Sequence, residues 1–152
     1  MSTSKLQIEL LNTKLEKVSA LSKISKPYKG WFFTIRQTLA ISLEQIASKL
    51  GLSKQAVKSL EQREQLGTIS LNKLASLADA LDMQLVYFFV PKDASLQAMI
   101  ERKANTLATE IVMRTSQTMK LEDQENDKKR IAKAIKEQTQ QLIHDMPKIL
   151  WD

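Results

Sequence analysis

Residues 42–62 read SLEQIASKLGLSKQAVKSLEQ, and this stretch decides the fold because it predicts two short helices separated by a turn. Ser42 offers a hydroxyl N-cap, and Gln45 three residues later completes a capping-box pattern. Gly51 ends the first helix because glycine adopts a positive φ without steric cost. Ser53 then caps the second helix.

The apolar positions of this stretch fit a helix-turn-helix unit, in which a turn of about three to four residues, often containing glycine, joins the helices. Ala47 supplies a small residue where the second helix packs on the first. Val57 and Leu60 supply inward-facing side chains three residues apart. A plain antiparallel helix pair in a bundle also uses alanine, glycine and apolar residues, so these positions alone leave both structures open.

The polar side chains of the second helix favour DNA binding. When Val57 and Leu60 face inward, four residues near the helix N-terminus face outward, and none of them is acidic. Lysine suits guanine acceptors and phosphates, glutamine can bind adenine through two hydrogen bonds, and serine can address several bases. The residues predicted to contact bases are therefore Lys54, Gln55, Lys58 and Ser59.

The rest of the chain predicts an all-α fold with three segments. Pro27 and Gly30 break the helical pattern and mark a linker. We therefore expect an N-terminal helical extension and linker at 1–29, a DNA-binding domain at 30–92, and a C-terminal helical extension at 93–152. A helix at 31–39 precedes the quoted stretch, and one capped by Ser70 follows it. The predicted inward residues of the latter helix are Leu71, Leu74, Ala75, Leu77, Ala78 and Leu81.

Residues 85–90, LVYFFV, are the one candidate strand, because β-forming residues fill the run and Pro91 ends it. The alternatives are an extension of the preceding helix or a buried connector. An isolated strand is an open edge, so we expect a homodimer built on a two-stranded ribbon. The C-terminal helices offer a second route to the same dimer.

The charge of the chain suits a polyanionic partner. Its net charge is +6, of which residues 1–30 contribute +4, from six lysines against Glu9 and Glu16. Residues 31–92 contribute +2, and residues 93–152 are neutral. Such an excess is compatible with DNA as the ligand and equally with a lysine-rich solvated surface.

The chain lacks the residues that several other classes of function require. The chain has no cysteine, its one histidine is His144, and its three glycines are dispersed, which argues against thiolate metal sites, histidine-based catalysis and phosphate-binding loops. We expect no enzymatic activity, no metal and no cofactor. The charged N-terminal residues argue against a secretory signal, and we expect no membrane span and a reducing, cytoplasmic setting.

Residues 31–82 resemble the Cro/CI-type (XRE) family of phage and bacterial regulators, which implies a five-helix-type core and a palindromic DNA operator. The resemblance implies a buried ion pair between Arg36 and Glu61, which ties the reading helix to the first helix. It assigns base contacts to Lys54, Gln55 and Ser59, and a phosphate contact to Ser42. The family often has glutamine directly after that cap, where this chain has Leu43.

A second resemblance covers nearly the whole chain. Residues 30–36, 52–57, 67–69, 85–91, 119–124 and 150–152 are similar to those of the family named mobile mystery protein A, whose genes tend to lie beside one for a Fic-domain protein. This resemblance implies an antitoxin-like regulator that controls its own operon. The alternative is an interaction protein that neutralises the Fic-domain partner through its helical extensions, with DNA binding secondary.

Overall fold

The computed structural model describes residues 2–116 and 124–152, with side chains at 5–116 and 127–152. Within those ranges it is all-helical, as the sequence predicts. Residues 119–123 of the second resemblance lie outside the described residues. The α-helices are α1 (Ser2–Ser19), α2 (Trp31–Thr38), α3 (Leu43–Leu50), α4 (Lys54–Leu66), α5 (Leu71–Ala80), α6 (Leu96–Ser116) and α7 (Gln124–Asp145), and short 3-10 helices cover Ala20–Lys23 and Lys148–Trp151.

The strand suggested at 85–90 is absent from the described residues, where this run is irregular backbone. The run does not extend α5 either, because Asp82 takes a positive φ of 61° directly after that helix. A strand needs a partner to satisfy its backbone groups, and no other strand exists among the described residues. Tyr87 is 67% exposed, so the connector is also not buried as a whole.

The contacts divide the chain into two units. Unit 1 contains residues 1–20 and 89–152, and unit 2 contains residues 21–88. The N-terminal helix therefore groups with the C-terminal helices rather than forming a segment of its own. The predicted division into 1–29, 30–92 and 93–152 stays a prediction about domains.

Unit 2 holds the core that the quoted stretch predicts. Its four α-helices, α2–α5, surround Ile46, Val57 and Leu77, whose side chains are fully buried. The fifth helix implied by the family resemblance has no counterpart in residues 82–88. Of the predicted inward residues of α5, Leu71 is 50% exposed. It lies six residues before Leu77, so its side chain points about 120° away from that buried side chain around the helix axis.

Unit 1 is built on α6 and α7, which pack through small residues. Ala104 and Ala108 of α6 have no exposed surface, and they lie in one cluster with Leu142 of α7. Helix α1 packs on α6, and the Asn12 side chain accepts a hydrogen bond from the backbone N–H of Leu96 at 2.9 Å. That bond satisfies a free donor at the start of α6.

Candidate nucleic-acid interface

Helices α3 and α4 are joined by a three-residue turn, Gly51, Leu52 and Ser53. Gly51 adopts the left-handed conformation, with φ 64° and ψ 32°. The N–H of Leu52 then donates to the carbonyl of Ala47 at 3.0 Å, which satisfies one of the last carbonyls of α3. The Ser53 hydroxyl accepts from the N–H of Ala56 at 3.1 Å and starts α4.

The capping box at the start of α3 is complete. The Ser42 hydroxyl oxygen accepts from the N–H of Gln45 at 3.1 Å, and the Gln45 side chain accepts from the N–H of Ser42 at 2.7 Å. Ser42 is half-buried. Because the cap uses an acceptor lone pair, the hydroxyl proton of Ser42 is still able to donate to a neighbouring acceptor.

Helix α4 has one buried and one polar exposed face. Val57 has no exposed surface, Leu60 is 7% exposed, and Ala47 of α3 is 6% exposed. Three of the four packing positions named from the sequence are therefore buried, and the fourth, Gly51, forms the exposed turn. The four side chains predicted to contact bases, Lys54, Gln55, Lys58 and Ser59, are all exposed. Their spacing of one and four residues places them on one side of α4.

A buried ion pair joins α2 to α4. Arg36 Nε donates to Glu61 Oε2 at 2.9 Å, and Arg36 Nη2 donates to Glu61 Oε1 at 3.2 Å. The two residues are 6% and 8% exposed. Arg36 Nη1 also donates to the carbonyl of Ile41 at 2.9 Å, directly before α3. One guanidinium therefore fixes α4 and the start of α3 relative to α2, with the bidentate geometry that arginine favours.

Glu64, which the sequence interpretation missed, caps α2 from a distance. Its carboxylate accepts from the N–H of Trp31 at 2.7 Å and from the N–H of Phe32 at 2.9 Å, and the residue is 4% exposed. Helix α2 begins after Gly30, which has no side chain to act as a cap. A helix start without a local polar cap was the available signal that a distant acceptor satisfies its N–H groups.

A second missed residue, Glu44, lies beside the proposed reading helix. Its Oε1 is 2.5 Å from Nζ of Lys54, and both side chains are more than half exposed. The hydrogen bond from Lys54 is the main cause that lowers the pKa of Glu44 below its usual value, and a hydrogen bond from the Ser42 hydroxyl adds to the shift. The carboxylate thus pairs with Lys54, one of the side chains predicted to contact bases.

The lysine excess of residues 1–30 is shared between the units. Lys5, Lys14 and Lys17 belong to unit 1, and Lys23, Lys26 and Lys29 belong to unit 2. Lys26 donates to the carbonyl of Glu64 at 2.6 Å, and Lys29 lies 4.6 Å from the ring centre of Phe33. These two lysines have local roles in unit 2.

Comparisons with protein-family models, curated proteins and solved structures return no match for this chain. The part of the chain that the structure describes contains no cluster of three side chains suited to a metal ion. In the same residues, no helix has the length and apolar character needed to cross a membrane.

Proposed function

We propose that this chain is a sequence-specific DNA-binding regulator of the XRE type, antitoxin-like and controlling its own operon. The observation that carries this proposal is the division of α4 into two faces. Val57 and Leu60 anchor one face in the core, while Lys54, Gln55, Lys58 and Ser59 lie exposed on the other. A solvated surface alone does not require this set of guanine-, adenine- and phosphate-binding side chains.

In the proposed complex α4 enters the major groove of DNA, which is about 12 Å wide and admits one helix. The exposed side chains at its N-terminal end then face the base edges, and α3 crosses the backbone. The Arg36–Glu61 pair holds α4 against α2, so the reading side chains approach DNA on a rigid support. Such rigidity favours specificity because fewer alternative contacts are available.

Gln55→Ala tests whether Gln55 contacts a base of the DNA. We expect it to lose about 1–3 kcal/mol of discrimination at one A·T pair, while affinity for unrelated DNA changes little. Binding constants on duplexes that differ by single base pairs measure this loss. Gln65→Ala is the control, because Gln65 is also exposed on α4 but lies about 15 Å further along the helix axis than Gln55. Equal weakening on every duplex would show that Gln55 does not read a base.

We also propose a homodimer, which would place two reading helices about 34 Å apart on a palindromic operator. Its support is an apolar surface of unit 2. Six large apolar side chains of unit 2 are partly exposed. If each has an area of roughly 150–250 Å², the value for an aromatic side chain, their exposed parts add up to an area on the order of 600 Å². A stable interface buries ~800 Å² on each partner. The residues are Trp31, Leu71, Met83, Val86, Tyr87 and Phe88. Three of them, Trp31, Met83 and Val86, line a cavity of about 270 Å³ between α2, α5 and residues 83–86.

Light scattering tests the dimer. We expect wild type at micromolar concentration to have the mass of two chains, and Tyr87→Asp to have the mass of one, because a carboxylate would be buried without a partner. Tyr87 is 67% exposed in the single chain, so the substitution leaves the fold intact. A monomeric wild type would contradict the dimer. A dimer that persists in Tyr87→Asp would place the interface in unit 1.

The second candidate function is binding of a Fic-domain protein by unit 1. The exposed leucines of α1 favour it, because Leu6 and Leu10, one turn apart, are more than half exposed. They lie roughly 160–200° around the helix from Ile8, which packs on the core of unit 1. Contiguous exposed apolar residues are typical of protein-binding surfaces. The two functions are compatible, because one uses α4 in unit 2 and the other uses unit 1.

A further inference from the structure

The polar face of α4 begins with a lysine that is already paired. Lys54 is the first residue of α4, and its ammonium lies 2.5 Å from the Glu44 carboxylate in the first turn of α3. The pair therefore connects the N-terminal ends of the two helices that flank the turn. Both side chains are more than half exposed, so they are within reach of a ligand that approaches α4.

Glu44 also lies two residues after the Ser42 cap, in the first turn of α3. Ser42 is the residue assigned to phosphate, and Lys54 is assigned to bases. One negative charge is therefore paired with the proposed base contact and lies in the same helix start as the proposed phosphate contact. A carboxylate in that place repels the DNA backbone, because two like charges approach each other at the edge of the interface.

We infer that Glu44 is a specificity-determining residue, which directs Lys54 to a guanine and keeps it from the phosphates. This inference rests on the proposed DNA-binding function. An ammonium group has three donors, and Glu44 accepts one of them. Guanine presents two acceptors, N7 and O6, in the major groove, which match the two donors that remain. Without Glu44, Lys54 is free to turn to the nearest phosphate.

Glu44 is therefore expected to lower the affinity for DNA of any sequence and to raise the discrimination between sequences. Phosphate contacts strengthen binding to every sequence, whereas base-edge contacts separate one sequence from another. Glu44 weakens the first kind of contact and orients the second. It is a positioning residue, because it acts through Lys54 rather than by touching the base.

Glu44→Gln tests the inference in the full-length protein. A preferred duplex is first selected with wild type from a randomised DNA library, and a scrambled duplex of the same composition serves as general DNA. We expect Glu44→Gln to bind the scrambled duplex more tightly, with a slope of log affinity against log salt steeper by about 0.9 for one added phosphate contact. We expect discrimination at one G·C pair to fall roughly tenfold, within the range for one good base contact.

Two further variants separate positioning from charge alone. Asp79→Asn makes the same charge change at an exposed residue of α5, and we expect it to keep the discrimination at the G·C pair. In a Lys54→Met background, Glu44→Gln has no ammonium to release, so we expect the discrimination at the G·C pair to be the same with and without it.

The outcomes distinguish this inference from the proposed function. If Glu44→Gln retains full discrimination, or if Asp79→Asn loses it equally, Glu44 is an ordinary surface charge and the inference is wrong while the proposed function stands. If wild type selects no preferred duplex, the proposed function itself is wrong, and the role of Glu44 is overturned with it.

Discussion

Glu61→Ala is expected to destabilise unit 2 by about 3–5 kcal/mol, because it leaves the Arg36 charge buried without its carboxylate partner. Arg36 is 6% exposed and would retain only the carbonyl of Ile41 as an acceptor. Glu61 lies on the buried side of α4, away from the proposed DNA contacts. We therefore expect the variant to lose DNA binding through unfolding and not through loss of a contact. Hydrogen exchange of the core amides of unit 2 measures the change in opening free energy residue by residue.

The matched control is Glu44→Ala, which breaks the other ion pair that α4 makes. Glu44 and Lys54 are 59% and 54% exposed, so water screens their attraction. We expect hydrogen exchange in the core of unit 2 to be unchanged in this variant. Equal protection of the core amides in Glu61→Ala and wild type would show that the Arg36–Glu61 pair does not stabilise the fold.

Gly30→Ala is expected to cost about 2–4 kcal/mol of stability in unit 2. Gly30 has φ 91° and ψ 162°, a conformation that is essentially restricted to glycine and costs other residues about 1–3 kcal/mol. An added Cβ would also lie 2.9 Å from Cδ of Glu64. Moving that carboxylate weakens its hydrogen bonds to the N–H groups of Trp31 and Phe32, so strain and loss of the cap add together.

Gly51→Ala separates the cost of backbone strain from the cost of displacing Glu64. Gly51 also has a positive φ, but nothing lies within 4 Å of the position that its Cβ would take. We expect this variant to lose about 1–2 kcal/mol, the cost of the left-handed conformation alone. Denaturant unfolding of both variants gives the comparison. If Gly30→Ala were no less stable than Gly51→Ala, Glu64 would not be held against the backbone at Gly30.

The features that the sequence predicted best are local ones. The capping box of Ser42 and Gln45, the left-handed Gly51 and the Ser53 cap each depend on residues within four positions of one another, so the residue types alone specify the geometry. The buried Arg36–Glu61 pair is not local, since 25 residues separate the partners. It was expected only from the family resemblance.

Contacts between distant residues were the ones that the sequence did not predict. Glu64 caps α2 across 33 residues of chain, and its own neighbourhood in α4 gives no sign of that bond. Glu44 lies on α3 and its partner Lys54 lies on α4, so the pattern of outward residues on α4 gives no sign of their contact. Ala104 and Ala108 are buried in unit 1 because small side chains let α7 approach, which a search for large apolar residues overlooks.

The run at 85–90 was wrong as a strand for a related reason. Six apolar residues favour burial, but they do not specify which surface buries them. With no second strand among the described residues, the run stays irregular and its aromatic side chains stay exposed. The proposed homodimer is therefore argued from that apolar surface and not from a two-stranded ribbon.

Selection from a randomised duplex library tests most directly whether the exposed face of α4 reads DNA. Wild type is compared with a variant in which Lys54, Gln55, Lys58 and Ser59 are all alanine, which removes the polar face and leaves Val57 and Leu60 in the core. We predict that wild type enriches one sequence motif with twofold symmetry and that the variant, still folded, enriches none. Failure of wild type to enrich any sequence, or enrichment of the same motif by the variant, would contradict the proposed function.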